Sequence, residues 1–487
     1  MEDKISKFVD WFKSFQKEDL AVAPTRFEDC GYGLKALRDI EAGECILTIP
    51  KSIILSIDCA YNDKTFEELV INKVGALSVR AIFAAYIWYE RAKGESSSWY
   101  SYFQILPTQF NTLCSWNEAE LETLERKELI DKINEKKSTL QKEFSVLNHL
   151  STKVNEQPAY EFLSTKTFED YLNVVSLIET RTIFYESIHD KRAEIGAFLP
   201  LFDYANHSLI APGNTDSAGK EAADSKEESK TKESPIDLQN LSLQKLFYYD
   251  SKQQKYMMKA FRKFNKDSQV FIIYCLDRDN FHFLEFYGFL PSYNPYNCVK
   301  FNIGSEEAEI LKKVASKGSG ENFQAKLKLV QSGLPHLITI VNSDDRKFMK
   351  SMGFKKLKEP ELGLVADIEL SIQASTGEPT WEFIMLLKTL TLEEIPKEDF
   401  DLYSLDGDYF VDSKHRSNFK AAVNAIHERL RTFYNKTEEE NLKAIEQITK
   451  IENKTSSEER CLMGNQYALS EKQAIQKFYA YLCKLSE

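Results

Sequence analysis

Residues 198–208, FLPLFDYANHS, decide how the rest of the chain reads. The apolar run around Pro200 suits a short buried strand, and it delivers Asp203, Asn206 and His207 immediately afterwards. A buried Asn-His pair has two uses. It can close a hydrogen-bonded core turn, or it can present an amide, both donor and acceptor, to a ligand.

Working outward, further short strands are expected at residues 245–249, 256–261 and 269–274. Upstream, residues 32–38 and 45–49 read as strands joined through Gly43, which can supply the positive φ of a turn. From about 60 to 175 the pattern is helical, with Val79, Ile82, Phe83, Tyr86 and Ile87 on one face. Ser115 followed by Glu118 reads as a capping box that starts a helix after Trp116. Ile5, Phe8, Val9 and Phe12 form one face of an N-terminal helix that resembles neither a signal nor a transit peptide. Past Phe289 the chain reads as helical to its end, and Phe419, Val423, Ile426, Leu430 and Phe433 mark one stripe. Residues 212–240 are rich in Ser, Lys, Glu, Asp and Ala and poor in large apolar residues, the composition of a mobile loop.

The expected fold class is therefore α+β, with short sheets interrupted by a helical insertion and an all-α domain appended. The expected boundaries are 1–60 (helix and first strands), 61–174 (insertion), 175–295 (second strand-rich part, with the 212–240 loop) and 300–487 (helical domain).

Composition narrows the function. The chain has 487 residues, 28% of them charged, and a formal net charge of -12. A nucleic-acid partner is not expected, because that class needs a basic face. An acidic surface favours basic partners by speeding encounter. The eight cysteines include no Cys-x-x-Cys pair and no accompanying histidine cluster, so neither a metal site nor a disulfide framework is indicated. No uninterrupted apolar run reaches the ~18 residues of a membrane span.

Four segments then carry a resemblance. They are residues 30–50 (CGYGLKALRDIEAGECILTIP), 198–208, 270–274 (VFIIY) and 280–289 (NFHFLEFYGF). In this order they are similar to the SET-domain protein methyltransferases of the Rubisco large-subunit lysine methyltransferase type. That group also includes ribosomal-protein lysine methyltransferases and an actin-histidine methyltransferase. Residues 8–12 (FVDWF) and 99–107 (WYSYFQILP) match the N-terminal helix and the helical insertion of that family. The C-terminal helices resemble its substrate-binding domain.

The resemblance implies a SET-domain fold and S-adenosyl-L-methionine as cofactor, held by Cys30, Gly31 and Tyr32 and by Asn206 and His207. Tyr274 and Tyr287 are thirteen positions apart (287 − 274), the spacing of the family's active-site tyrosines. They would orient a lysine amine and wall its channel. Lysine has a pKa of ~10.4 in water, and a partly dry aromatic channel disfavours its charged form. Arg181 and Asp203 correspond to substrate contacts, although a structural ion pair explains them nearly as well.

Three departures stand out. Asp267-Ser268 replaces a usual Gly-Glu, Ser101 a usual Pro, and ALSEK at 468–472 lacks a usual Arg before Glu-Lys. The resemblance implies a monomeric protein-lysine methyltransferase, with a basic, non-histone protein as substrate and ribosomal or translation proteins as candidates. The expected compartment is the cytoplasm, with the nucleus as an alternative. Histidine methylation and a non-catalytic docking module are the competing readings. Tyr287 favours lysine, because the actin-histidine branch departs from Tyr there.

Overall fold

The computed structural model describes residues 2–16, 19–28, 30–73, 77–153, 160–187, 189, 195–209, 241–303, 325–326, 328–330, 339–340, 364–365, 368–396 and 400–486. Most of the 212–240 expectation's context, and the segment itself, lies outside these residues. Two compact units emerge, one of residues 1–116 with 131–294 and one of residues 117–130 with 295–487.

The first unit opens with helix α1 (Glu2–Lys13), whose Ile5, Phe8 and Phe12 are buried at the expected spacing. Phe8 packs near Tyr102 and Tyr204, which ties α1 to the short helix Tyr100–Phe103 and to the 3-10 turn just before Asn206. Strands β1 (Val22–Phe27) and β2 (Gly31–Ala36) pair antiparallel, Val22 facing Ala36 and Phe27 facing Gly31. Gly43, at φ +81°, turns the chain into β3 (Cys45–Pro50).

Helix α2 (Val79–Ala92) is capped by Ser78 and buried from Ala81 to Trp88, more than one stripe. Such all-round burial makes it a core helix, rather than the surface helix that a single face would suggest. Helix α3 (Phe168–Arg181) begins with a Thr167–Asp170 capping box and ends at Arg181. Two-residue strands follow: β4 (Thr182–Ile183) pairs with β5 (Ala197–Phe198), and β6 (Asn206–His207) comes after a turn.

Strands β7 (Phe247–Asp250), β8 (Lys255–Lys259) and β9 (Gln269–Ile272) complete two sheets. One has the order β1-β2-β9-β6 and the other β3-β8-β7. In the first, β6 runs parallel to β9, Asn206 beside Phe271 and His207 beside Ile272. Residues 280–289, grouped with the strand-rich segments by sequence, form helix α4 (Asn280–Tyr287). Asp279 caps it and Gly288 ends it at φ +74°. A Cβ on Gly288 would come within 2.5 Å of the Asn111 backbone, so only glycine fits there.

The second unit is built on α5 (Trp381–Thr391), α6 (Ser413–Arg431), α7 (Glu438–Thr449) and α8 (Ser456–Leu485). The α6 stripe is buried at Phe419, Val423, Ile426 and Leu430 as its spacing predicts. Strands β10 (Cys298–Ile303) and β11 (Ile368–Gln373) pair antiparallel within this unit, an addition to the all-α expectation. Val299 and Phe301 alternate into the core opposite Leu370 and Ile372, a period of two that the surrounding helical signal hid.

Residues 117–130 also belong to this unit, although their sequence lies within the expected insertion. Arg126 reaches Glu471 at 2.9 Å and Glu125 reaches Lys472 at 3.0 Å, all four side chains almost wholly buried. The capping box here is Asn117–Glu120, two residues beyond the expected Ser115–Glu118. Ser115 lies in a short 3-10 turn, and Asn117 accepts the Glu120 N–H at 3.0 Å while Glu120 accepts that of Asn117.

Candidate active site

The parallel pairing of β6 with β9 places Asn206 beside the β2 loop. Asn206 Nδ2 donates to the Tyr32 carbonyl at 3.2 Å and lies 3.4 Å from Cys30 Sγ. Cys30 is exposed and also contacts the Gln269 amide. Gly31 takes φ +73°, which favours glycine. A Cβ on Gly33 would lie 2.3 Å from Gln269 Nε2 and 2.9 Å from Asn206 Nδ2. Gly33 and Gln269 thus join the expected set of Cys30, Gly31, Tyr32, Asn206 and His207. The second glycine of the Gly-Tyr-Gly element was the available signal for Gly33. Nothing local pointed to Gln269.

His207 sits among Phe283, Tyr274 and Phe289, with ring centroids 4.7, 5.2 and 6.1 Å away. Its Nδ1 accepts the backbone N–H of Tyr274 at 3.1 Å. Its Nε2 is buried and has no hydrogen-bond partner among the described residues. Burial lowers the imidazole pKa to about 4, so the ring is neutral at pH 7.

Tyr274 lies two residues beyond β9, and its hydroxyl donates to the Ala205 carbonyl at 3.0 Å. Tyr287, the last residue of α4, brings its ring to 4.9 Å from that of Tyr274. The buried Glu285 anchors this helix through Lys132 at 2.9 Å and Lys136 at 3.5 Å. Burial pushes the Tyr274 phenol up to about 12 and raises that of Tyr287 as well. Both keep their protons at neutral pH, so neither is a resting base.

Arg181 Nη1 donates to the Asp203 backbone carbonyl at 2.9 Å and stands 3.4 Å from Oδ2. The same Oδ2 accepts the Tyr102 hydroxyl at 2.8 Å. Asp203 Oδ1 is buried without a partner among the described residues. Burial raises the Asp203 pKa against the opposing pull of Arg181.

A cavity of about 240 Å³ joins these groups, lined in part by Arg181, Phe202, Asp203, Ala205, Tyr274 and Tyr287. A larger one of about 660 Å³ shares Phe184, Gln244, Phe247 and Tyr256 with it. The expected site residues therefore fall into two groups. Tyr274, Tyr287, Arg181 and Asp203 line the smaller cavity; Cys30, Gly31, Tyr32, Asn206 and His207 lie at the start of β2 and on β6, on either side of β9 and linked by the Asn206 side chain. Tyr274 bridges them, its N–H on His207 and its hydroxyl on Ala205. Chemically, one group offers backbone and amide contacts and the other a narrow aromatic channel with a carboxylate.

No protein-family model matches the chain. The solved structure of the SET domain of LSMT bound to lysine and AdoHcy superposes with a TM-score of 0.58 at 17% identity. That match covers 99% of this chain and 92% of the other. Rubisco LSMT bound to AdoMet gives 0.57 with the same coverage. The chain has the SET fold. Among curated proteins, the actin-histidine N-methyltransferase of Danio rerio is 24% identical over 319 residues, 64% of this chain and 46% of that protein. The one from Homo sapiens is 24% identical over 294 residues, 58% and 42% respectively. The chain thus spans about half the length, or less, of the curated relatives it matches. Within the SET fold, the two groups of residues occupy one continuous strand-and-helix framework, since β2, β6 and β9 share a sheet.

Proposed function

We propose that this protein is an S-adenosyl-L-methionine-dependent protein N-methyltransferase whose target is a lysine of a non-histone protein. The observation that carries the reading is the Tyr274–Tyr287 pair in a confined cavity that also holds a carboxylate. The SET-fold neighbours, solved with AdoMet or with lysine and AdoHcy, support it.

The residues fit the cofactor on two counts. Gly31 leaves the β2 backbone open, with nothing within 4 Å of where a Cβ would stand, and His207 keeps a buried nitrogen without a partner among the described residues. Cys30, Gly31, Tyr32, Asn206 and His207 would hold it. When bound, S-adenosylmethionine supplies a methyl carbon on a sulfonium, which leaves as a neutral thioether.

The chain's own part is to deliver a neutral amine in line. Desolvation in the aromatic channel lowers the amine's affinity for its proton. The phenolic oxygen of Tyr274 still has lone-pair capacity after donating to Ala205, and so can accept an amine N–H and aim the nitrogen. The rings of Tyr274 and Tyr287 accommodate the cationic product. Arg181 and Asp203 would position the substrate at the cavity wall, Asp203 Oδ1 having no partner among the described residues and so able to accept a hydrogen bond.

A histidine target is the second reading, favoured by the curated relatives, which are actin-histidine N-methyltransferases. Labelled S-adenosylmethionine, the full chain and a deletion-strain extract separate the two. The lysine reading expects the label on lysine when the product is sequenced by mass spectrometry. Label on histidine would overturn the specificity and keep the activity; no transfer, with no cofactor binding by calorimetry, would overturn both.

A further inference from the structure

Outside the site, two exposed aromatic rings of the second unit meet. Among the described residues, Trp381, Tyr403 and Tyr409 are exposed at 36%, 51% and 51%. Trp381 and Tyr403 stack, with ring centroids 5.6 Å apart and planes at 17°. Large aromatics left stacked in water cost free energy unless a partner covers them, and Trp and Tyr dominate the anchors of protein interfaces.

The loop carrying them is built rigidly. The Trp381 indole N–H donates to Asp406 Oδ1 at 2.7 Å, and the same oxygen accepts the Gly407 N–H at 2.8 Å. Asp401 caps the short helix Leu402–Leu405 by accepting the Tyr403 N–H. Beneath, the fully buried Lys388 donates to the carbonyls of Leu405 (3.0 Å), Tyr409 (3.2 Å) and Gly407. His415 in turn contacts the Lys388 carbonyl at 2.7 Å. A lysine bound to three carbonyls of one loop holds that loop in shape, with Asp406 and Asp408 near enough to favour its charged form.

The rim is acidic. Residues 400–412, FDLYSLDGDYFVD, contain four aspartates and no lysine or arginine. Asp401 and Asp412 serve as caps, while Asp406 is exposed and bonded to Trp381, and Asp408 is exposed two residues further along the same loop. The nearby Lys414 is paired with Glu393.

We propose that this stacked Trp381–Tyr403 pair with Asp406 and Asp408 is a docking surface for a lysine- or arginine-rich segment of a partner protein. Aromatic faces attract ammonium and guanidinium groups, and the two carboxylates complete the match in charge. The surface goes beyond the methyl-transfer site and is tested without any transfer.

The test titrates the full-length chain with a short lysine-rich peptide, and with the same peptide carrying glutamate in place of lysine, by calorimetry. Trp381→Ala and the double change Asp406→Asn with Asp408→Asn are compared with Glu439→Gln with Glu446→Gln, which alters the charge equally elsewhere in the unit. Thermal melting verifies that each variant is folded. The expected result is lysine-peptide binding weakened by about tenfold in both platform variants and changed by less than about twofold in the control. Equal losses in platform and control variants would reduce the attraction to net charge and overturn the proposal. Absence of binding to the lysine peptide, or equal binding of the glutamate peptide, would overturn it as well.

Discussion

Two sets of buried polar groups, one in each unit, are treated differently. Around Glu471 in the C-terminal unit, Arg126, Tyr434 and Tyr467 all reach the one carboxylate, at 2.9, 2.9 and 2.7 Å. Around Glu125, Lys472, Asn441 and the Lys436 N–H do the same. In the strand-rich unit, His207 Nε2 and Asp203 Oδ1 are buried with nothing to bond to among the described residues. A satisfied buried network specifies a fold, whereas an unsatisfied buried atom is a cost that a ligand can relieve. His427 Nε2, in the second unit, is likewise buried without a partner among the described residues; what sets His207 and Asp203 apart is that they sit with Tyr274, the one against its ring and the other in its cavity.

The largest effect should come from breaking the satisfied network. Arg126→Met leaves Glu471 buried with no cation and should destabilise the second unit by about 3–5 kcal/mol, read as a lower denaturant midpoint. A loss below about 1 kcal/mol would mean that the cluster is not the fold determinant described here. Next, Asn206→Ala frees the β2 loop from β6 and should weaken S-adenosylmethionine binding at least ~tenfold, about 1.4 kcal/mol, by calorimetry. Unchanged affinity would remove the cofactor assignment from this loop.

A pH-dependent effect tests His207. Its folded pKa of about 4 lies below the ordinary 6.5, so the folded state binds fewer protons than the unfolded state between these values. Stability should be level above pH 6.5 and fall as pH drops toward about 4, by up to ~1.4 kcal/mol per pH unit from this residue. His207→Gln should flatten that part of the curve; an identical slope would show that other groups cause it. Smallest of all, Gly33→Ala meets only the movable ends of Gln269 and Asn206, and should weaken cofactor binding a few-fold with little change in melting.

Much of the first unit was legible because its signals are local. The stripe of α1, the turn at Gly43 and the run into Asn206-His207 are set by residues close together in sequence. The same holds for the stripe of α6. What stayed hidden depends on distant partners. Val299 and Phe301 become a strand only because Leu370 and Ile372 lie opposite, and residues 117–130 join the second unit through Arg126 and Glu125. The cap shifted from Ser115 to Asn117 because both fit the pattern and the 3-10 turn took the first. Gln269 entered the site through the pairing of β9 with β2, which no local pattern encodes.

Tyr274 couples the two groups of site residues through its N–H and its hydroxyl, and Tyr274→Phe isolates the second of these. The variant keeps the ring and the backbone N–H on His207 and removes only the hydroxyl. Measured side by side with the unaltered protein, it should bind S-adenosylmethionine with the same affinity and transfer the methyl group at least ~tenfold more slowly, a barrier higher by about 1.4 kcal/mol. An unchanged transfer rate at unchanged affinity would contradict the account and leave Tyr274 a core residue.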